Sequence, residues 1–245
     1  MAGNWKMFKN AAQTSAFFEQ FNPLVEHSGH CEIVICPPFP NLPAAVAATR
    51  GTRIAIGAQN VCTETKEGAF TGEVSASMIR SVGCSHVIVG HSERRQYYGE
   101  TNEIVRKKTL ATLESGLTPI VCVGETLEHR EAGRTDAVIL DHCQGGTSSL
   151  TPDQFAKILI AYEPVWAIGT GKTATPEIAA DAHRVIRGFA QRAFGQQAAA
   201  NLRILYGGSV KPDNVKKLMA QPEIDGALVG GASLEPISFA SIVNF

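Results

Sequence analysis

The chain has 245 residues, of which 44% are hydrophobic, enough for one large globular domain with a substantial core. Because 22 lysine and arginine residues balance 23 aspartate and glutamate residues, it lacks the basic excess typical of nucleic-acid-binding proteins. It also lacks an apolar run of membrane-spanning length, an apolar N-terminal signal stretch and any C-x-x-C pair among its six cysteines. We therefore expect one domain over residues 1–245, cytoplasmic with reduced thiols, that binds neither nucleic acid nor membranes.

Short, almost continuously apolar runs recur along the chain, and each is followed by a stretch with helical character. Such runs are typical of parallel strands covered on both faces, since strands with one solvated face alternate apolar and polar residues. The candidate strands are Ala2–Lys6, Glu32–Cys36, Arg53–Ala58, His86–Gly90, Pro119–Val123, Ile158–Tyr162, Arg203–Tyr206 and Gly226–Val229.

The stretches between these runs are predicted to be helices. The clearest is Thr175–Phe194, where Thr175 suits the N-cap, Pro176 suits the first helical position and Gly195 marks the end. The other predicted helices are Thr101–Ser115, Lys211–Ala220 and Glu235–Val243. Eight strand–helix units predict an α/β fold, a closed (β/α)8 barrel with an outer ring of helices. A doubly wound open sheet, which more often has five or six strands, is the alternative.

Polar and small residues directly follow five of the predicted strands. In (β/α)8 barrels the active site lies at the C-terminal ends of the strands, so these residues are candidates for chemistry. Since glycine lets backbone N–H groups approach an oxyanion, and the last two loops of such barrels frequently bind phosphate, a small phosphorylated substrate is predicted. The candidates are Asn4, Lys6, His91, Ser92, Glu93, Glu163, Ser209, Gly230 and Gly231.

Glu163 is the candidate general base. It ends an apolar strand and precedes Pro164 and Trp166, which can exclude water, and desolvation raises the pKa of a carboxyl group. His91 is its candidate partner, because Ser92–Arg95 could form a first helical turn whose positive end favours the neutral imidazole. A solvated surface glutamate and a structural loop histidine are the alternative interpretations.

Lys6 is the candidate cation of the site. A lysine at a strand end that faces the barrel mouth would attract an anionic substrate and stabilise developing negative charge. Asn4 and Glu93 could orient its ammonium group, or could be ordinary turn and surface residues. His91 and Glu93 alternate in sequence but have no third ligand at a matching spacing, so no metal site is predicted.

Residues Ile168–Ala174 (IGTGKTA) contain two incomplete nucleotide-binding patterns. The Walker A pattern requires a glycine where Trp166 stands, and the dinucleotide pattern lacks an acidic residue about 20 residues further on. We therefore predict no nucleotide cofactor and interpret the segment as a lid with hinges at Pro164–Trp166 and Lys172–Ala174. Its closure would exclude water and offer the Gly169 N–H to a phosphate.

Residues Gln59–Gly72 show neither strand nor helix periodicity. A loop of this length inside a compact domain is usually functional. Because the aromatic Phe70 lies near its tip, we expect the loop to insert into a partner subunit. A flexible insertion is the alternative.

Seven segments spread over almost the whole chain resemble the triosephosphate isomerase family. The segment Ala161–Ala174 (AYEPVWAIGTGKTA) is highly specific by itself, and the others are Gly3–Met7, Gly57–Asn60, Gly68–Glu73, Val89–Arg95, Tyr206–Val210 and Gly226–Leu234. The resemblance implies a homodimeric, cofactor-independent isomerase of glycolysis and gluconeogenesis. It would interconvert dihydroxyacetone phosphate and D-glyceraldehyde 3-phosphate through an enediolate.

The resemblance also implies a role for each candidate. Glu163 would be the catalytic base and His91 the electrophile, while Asn4 and Lys6 would contact the substrate. Thr71 would dock beside the active site of a neighbouring subunit. The phosphate-binding set would be Gly169, Ser209, Gly230 and Gly231.

The first loop departs from the family pattern. The family has several residues that complete the first strand before the position of Gly3, but only two precede it here. We therefore expect either a short first strand or a start further upstream. After Met7 the family commonly has Asn-Gly, whereas this chain has Phe8-Lys9, so the first loop is expected to pack differently.

Two alternatives to the implied activity stay open. One is a barrel isomerase that acts on a larger sugar phosphate. The other is a non-enzymatic protein that binds a phosphorylated ligand. Its expected signature is loss of a catalytic side chain, whereas Lys6, His91 and Glu163 are all present.

Overall fold

Eight parallel strands close into a barrel within residues 1–168 and 173–245, which are the residues that the computed structural model describes. The strands follow one another around the barrel in chain order, and the last pairs with the first. This closure confirms the predicted (β/α)8 barrel, and the open doubly wound sheet is wrong. The strands are β1 Ala2–Asn4, β2 Ile33–Cys36, β3 Ile54–Ala58, β4 His86–Val89, β5 Thr118–Val123, β6 Leu159–Tyr162, β7 Arg203–Tyr206 and β8 Gly226–Val229.

The first strand is shorter than the predicted Ala2–Lys6. It spans three residues, yet Ala2 lies opposite both Val34 of β2 and Leu228 of β8, so the barrel closes through it. The extended backbone ends because Lys6 has a φ of 50°, in the left-handed region. The C-terminal end of β1 therefore turns sharply at a candidate site residue.

Helices surround the strands. Each predicted helix is present within a few residues of its expected bounds, apart from Lys211–Ala220, where only Val215–Met219 is helical. Its expected first turn is replaced by a turn in which the Asn214 side chain accepts the Lys211 N–H at 2.8 Å. The helices of the described chain are α1 Ala11–Val25, α2 Leu42–Ala48, α3 Ala76–Val82, α4 Ser92–Tyr98, α5 Asn102–Glu114, α6 Leu127–Glu131, α7 Thr135–Thr147, α8 Pro152–Phe155, α9 Pro176–Phe194, α10 Gln196–Asn201, α11 Val215–Met219 and α12 Pro236–Val243.

Apolar side chains fill the structure in two layers. Alternate strand residues such as Ile88, Cys122 and Leu205 form one buried cluster, and their neighbours belong to a larger cluster that includes the helices. Because both faces of the strands are buried, their sequences are almost continuously apolar, as predicted, and polar residues such as Arg203 stand at the strand ends. The filled interior gives the loops at the C-terminal ends of the strands a packed floor. No helix within the described ranges is long and apolar enough to cross a membrane.

Candidate active site

A cavity of about 380 Å³ opens at the C-terminal ends of the strands. The loops after β1, β4, β6, β7 and β8 all contribute to its wall, as the sequence predicted from the strand ends. Gly169, predicted to bind phosphate, lies outside the described residues, as does Lys172 of the predicted second hinge. The cavity brings together Asn4, Lys6, His91, Glu163, Ser209, Gly230 and Gly231.

Glu163 and His91 form a direct, buried contact. The Glu163 Oε1 lies 2.9 Å from the His91 Nε2, and only 3% and 6% of the two residues are exposed. The other carboxylate oxygen, Oε2, accepts the Ser92 N–H at 2.9 Å. Both oxygens are therefore hydrogen-bonded, and Glu163 must leave at least one partner before it can take a proton from a substrate.

His91 is the N-cap of α4, whose first residues the sequence predicted to be helical. Its Nδ1 accepts the Glu93 N–H at 3.2 Å. A ring nitrogen that accepts a hydrogen bond carries no proton, so the neutral ring has its proton on Nε2, the atom that faces Glu163. The positive end of the helix favours this neutral form.

Burial and ion pairing act in opposite directions on this pair. Burial lowers the pKa of His91, but the charge of Glu163 and the hydrogen bond to it raise that pKa above its usual value. Burial raises the pKa of Glu163, as the sequence predicted, but the charge and hydrogen bond of His91 and the Ser92 N–H lower it overall. When the two side chains separate, burial and the helix end both favour a neutral imidazole, and burial favours a more basic carboxylate once Glu163 also leaves the Ser92 N–H.

Lys6 has a strained backbone that neighbouring side chains hold in place. The Asn4 Oδ1 accepts the Lys6 N–H at 3.0 Å, and the Gln59 Nε2 donates to the carbonyl oxygens of Lys6 and Cys36, both at 2.8 Å. The Lys6 Nζ lies 2.5 Å from the Glu93 Oε1. Of the two candidate partners of Lys6, Glu93 thus contacts its ammonium group and Asn4 its backbone, whereas Gln59 was not among the candidates.

The loop after β7 presents backbone N–H groups to the cavity. Among the described residues, the N–H groups of Gly208 and Ser209 have no hydrogen-bond acceptor. A Cβ atom on Gly208 would lie 2.2 Å from the Tyr206 hydroxyl oxygen, and one on Gly230 would lie 3.5 Å from the Lys6 Cε. The close packing at Gly208 leaves no room for a side chain there, and the Lys6 side chain lies next to Gly230. Free N–H groups beside a lysine form a suitable seat for a phosphate.

Gly124, which the sequence analysis did not single out, positions the backbone of Glu163. The Glu163 N–H donates to the Val123 carbonyl at 2.7 Å, which places Glu163 beside the end of β5. A Cβ atom on Gly124 would lie 1.8 Å from the Glu163 carbonyl oxygen, and one on Gly207 would lie 2.9 Å from the Glu163 Cγ. Glu163 is therefore held between two glycines that follow β5 and β7.

We predict that Gly124→Ala lowers both kcat and stability, because the new methyl group cannot fit without moving the Glu163 backbone. The urea midpoint should fall by the equivalent of about 1–3 kcal/mol, as in other overpacked sites. Gly188→Ala in α9 is the control, since its Cβ meets only the end of the flexible Arg192 side chain. Wild-type kcat and midpoint in Gly124→Ala would show that the close approach is unimportant.

Glu125 braces the segment that follows Glu163. It is fully buried, and it accepts hydrogen bonds from the Tyr162 hydroxyl at 3.1 Å and from the Trp166 Nε1 at 2.8 Å. The Arg130 guanidinium lies over the Trp166 ring, 4.7 Å from its centroid. Of the predicted hinge Pro164–Trp166, the part from Val165 onward forms a short 3-10 turn, Val165–Ala167, tied in this way to the loop after β5.

The loop Gln59–Gly72 is irregular, as predicted, and its residues Phe70 and Thr71 are exposed. Near the first loop, a second cavity of about 300 Å³ is lined by Lys6, Met7, Glu93, Arg94 and Tyr98, among others. In the parts of the chain that the structure describes, no three His, Cys, Asp or Glu side chains are grouped to hold a metal ion.

Comparison with known proteins gives one consistent result. A sequence profile of the family described as "Triosephosphate isomerase" matches residues 1–245. The triosephosphate isomerase of Solibacter usitatus is 70% identical over 245 residues, which cover 100% of this chain and 98% of that protein. That of Citrifermentans bemidjiense is 57% identical and covers 100% and 97%. The crystal structure of triosephosphate isomerase from Bartonella henselae superimposes with a TM-score of 0.89 at 38% identity, covering 100% of this chain and 97% of that one. The chain therefore belongs to the triosephosphate isomerase family.

Proposed function

We propose that Glu163 and His91 are the acid–base pair with which this isomerase interconverts dihydroxyacetone phosphate and D-glyceraldehyde 3-phosphate. The observation that carries this proposal is the 2.9 Å contact between their side chains inside a cavity that also holds a cation and free backbone N–H groups. Family membership supports the triose phosphate as substrate and glycolysis and gluconeogenesis as its setting. Residues 1–245 act as one barrel domain.

The proposed reaction moves only protons, and so needs no cofactor. Glu163 releases the Ser92 N–H and the His91 Nε2 and takes a proton from the carbon next to the substrate carbonyl. Neutral His91 donates the Nε2 hydrogen to the carbonyl oxygen and passes a proton between the two enediolate oxygens. Lys6 stabilises the negative charge, and Asn4 keeps its backbone in position. Glu163 then returns its proton to the neighbouring carbon.

Binding of the substrate phosphate supplies part of the free energy that lowers the reaction barrier, because acid–base transfer alone does not lower it enough. General acid–base catalysis contributes about 10²–10⁴-fold, which is too little for a fast isomerase. Interactions with the remote phosphate position the three reacting carbons between Glu163 and His91. We assign this binding to the N–H groups of Ser209, Gly230 and Gly231 and to the Ser209 hydroxyl, joined by Gly169 from the predicted lid.

We further propose that the enzyme is a cytoplasmic homodimer in which the loop Gln59–Gly72 docks into the second cavity of a neighbouring subunit. Large apolar side chains are exposed around that cavity, with 93% of Met7 and 69% of Tyr98 accessible. Exposed apolar patches of this kind mark protein–protein interfaces. Phe70 and Thr71 are the exposed residues of the loop that would fill the cavity.

A coupled assay with each triose phosphate in turn tests the activity. We expect turnover in both directions without added metal or cofactor. A larger aldose or ketose phosphate, offered as the only substrate, should give no turnover. Turnover of the larger sugar phosphate alone would identify a different barrel isomerase. Binding of triose phosphate without turnover at micromolar enzyme would indicate a non-enzymatic binding protein.

A further inference from the structure

Lys211 is a charged residue at the active-site cavity that the proposed mechanism does not use. It follows the phosphate-binding residue Ser209 by two positions and lines the same cavity, together with Gly230 and Gly231. Its side chain is exposed, so it stands at the rim rather than at the floor. Among the described residues it forms no ion pair, even with the nearby Asp213.

The charge balance of the cavity depends on this residue. The charged residues in the described part of the lining are Lys6, Lys211 and Glu163. Lys6 already has a carboxylate partner, since its ammonium lies 2.5 Å from the Glu93 Oε1. Without Lys211, the charges of Lys6 and Glu163 in the lining cancel, whereas a triose phosphate is a dianion. Lys211 therefore gives the described lining its net positive charge.

Asn214 fixes the turn that carries Lys211. Its Oδ1 accepts the Lys211 N–H at 2.8 Å, and its Nδ2 donates to the Ser209 carbonyl at 3.0 Å. The Lys211 carbonyl in turn accepts the N–H groups of Asn214 and Val215, at 3.2 Å and 3.0 Å. The Asn214 side chain thus fixes the backbone of both Ser209 and Lys211 in the turn that precedes α11.

We propose that Lys211 is a further substrate-binding residue of this enzyme: its ammonium group, which has no ion-pair partner in the described part of the chain, attracts the phosphate dianion into the cavity, and Asn214 holds its backbone at the rim. This inference rests on the proposed function, because it assumes a phosphorylated substrate. An exposed charge near a narrow cavity raises the rate of association with an oppositely charged ligand, and salt weakens this effect steeply. Lys211 is therefore expected to act on capture of the substrate and not on the proton transfers.

The test compares Lys211→Gln and Lys211→Glu with Lys217→Gln, which removes an exposed lysine of α11 that does not line the cavity. At low ionic strength we expect kcat/KM to fall about threefold in Lys211→Gln and about tenfold or more in Lys211→Glu, with kcat within twofold of wild type. The plot of log kcat/KM against ionic strength should be shallower in Lys211→Gln. At 0.5 M NaCl the wild type and all three variants should agree within about twofold, because exposed charges are then screened.

The variant Asn214→Ala tests whether the position of the turn affects substrate binding independently of the charge of Lys211. The variant keeps every charge, so its KM should rise while the dependence of kcat/KM on ionic strength stays as in wild type. The proposal is overturned if Lys211→Gln has the same kcat/KM and the same salt dependence as Lys217→Gln.

Calorimetric binding of inorganic phosphate provides a readout that does not need turnover. Lys211→Gln should bind inorganic phosphate several-fold more weakly than Lys217→Gln. A wild type that binds phosphate but lacks isomerase activity would refute the proposed function, but the comparison of phosphate binding by Lys211→Gln and Lys217→Gln would still test the role of Lys211.

Discussion

Replacing Glu163 by glutamine should lower kcat by about 10²–10⁴-fold in both directions, the range typical of a lost general base. An amide has the shape of the carboxylate, and its single oxygen can still accept from either the His91 Nε2 or the Ser92 N–H, so the variant should fold. It cannot take a proton from carbon at neutral pH. Its KM, or its inhibition by inorganic phosphate, should change far less than kcat, because the proposed phosphate-binding residues belong to the loops after β7 and β8.

The same variant tests the electrostatic coupling in the site. In the wild type the pKa of His91 is raised because the attraction of Glu163 outweighs burial. In Glu163→Gln the attraction is lost and burial remains, so the pKa of His91 should fall below that of the wild type in an NMR titration of the ring. The lowered pKa of Glu163 has the same origin, because the charge and hydrogen bond of His91 favour the ionised carboxylate, and this stabilisation is lost as acid protonates the carboxylate.

Glu114→Gln, an exposed change at the end of α5, is the matched control and should leave both kcat and the His91 titration unchanged. Near-wild-type kcat in Glu163→Gln would show that another group is the base. An unchanged His91 pKa would show that the two side chains are not in contact in solution.

The strand ends explain why so much of the site was predictable from the sequence. Parallel strands buried on both faces are apolar throughout, so each boundary is visible as the first polar or glycine residue. In a closed barrel all such boundaries meet at one mouth, which brings Lys6, His91 and Glu163 together although they are far apart in the chain. The periodicity of α9 and its Thr175 cap are equally local signals.

The supports of these residues could not be predicted, because they depend on contacts between distant loops. Gly124 and Gln59 follow strand ends, but nothing local shows that one approaches the Glu163 carbonyl and the other holds the strained Lys6. The lowered pKa of Glu163 was missed for the same reason. Burial can be inferred from neighbouring apolar residues, whereas the opposing ion pair with His91 requires the geometry of two loops.

The second large effect should come from Thr71→Arg, which is expected to convert a dimer into 26.1 kDa monomers and to lower kcat by about 10²-fold. In the proposed dimer, the tip of the loop Gln59–Gly72 fills a cavity whose wall contains Lys6 and Arg94. Because Glu93 offsets only one of these two cations, an added arginine would meet a net positive wall, and its long side chain would not fit beside the exposed Met7. Light scattering gives the mass, and the coupled assay gives kcat.

The loss of activity in the monomer follows from the backbone of Lys6. Its left-handed conformation costs about 1–2 kcal/mol, and the hydrogen bonds from Gln59 and to Asn4 that hold it lie beside the cavity that the partner would fill. Removing the partner exposes the loop that carries Lys6 to water, so the Lys6 ammonium is no longer held at the active-site cavity.

Two control variants should keep the dimer and its activity. They are Thr71→Ser and Gln191→Arg, which adds an arginine to the exposed face of α9. A wild type that is itself a fully active monomer would refute the docking of this loop, and so would a Thr71→Arg dimer with unchanged kcat.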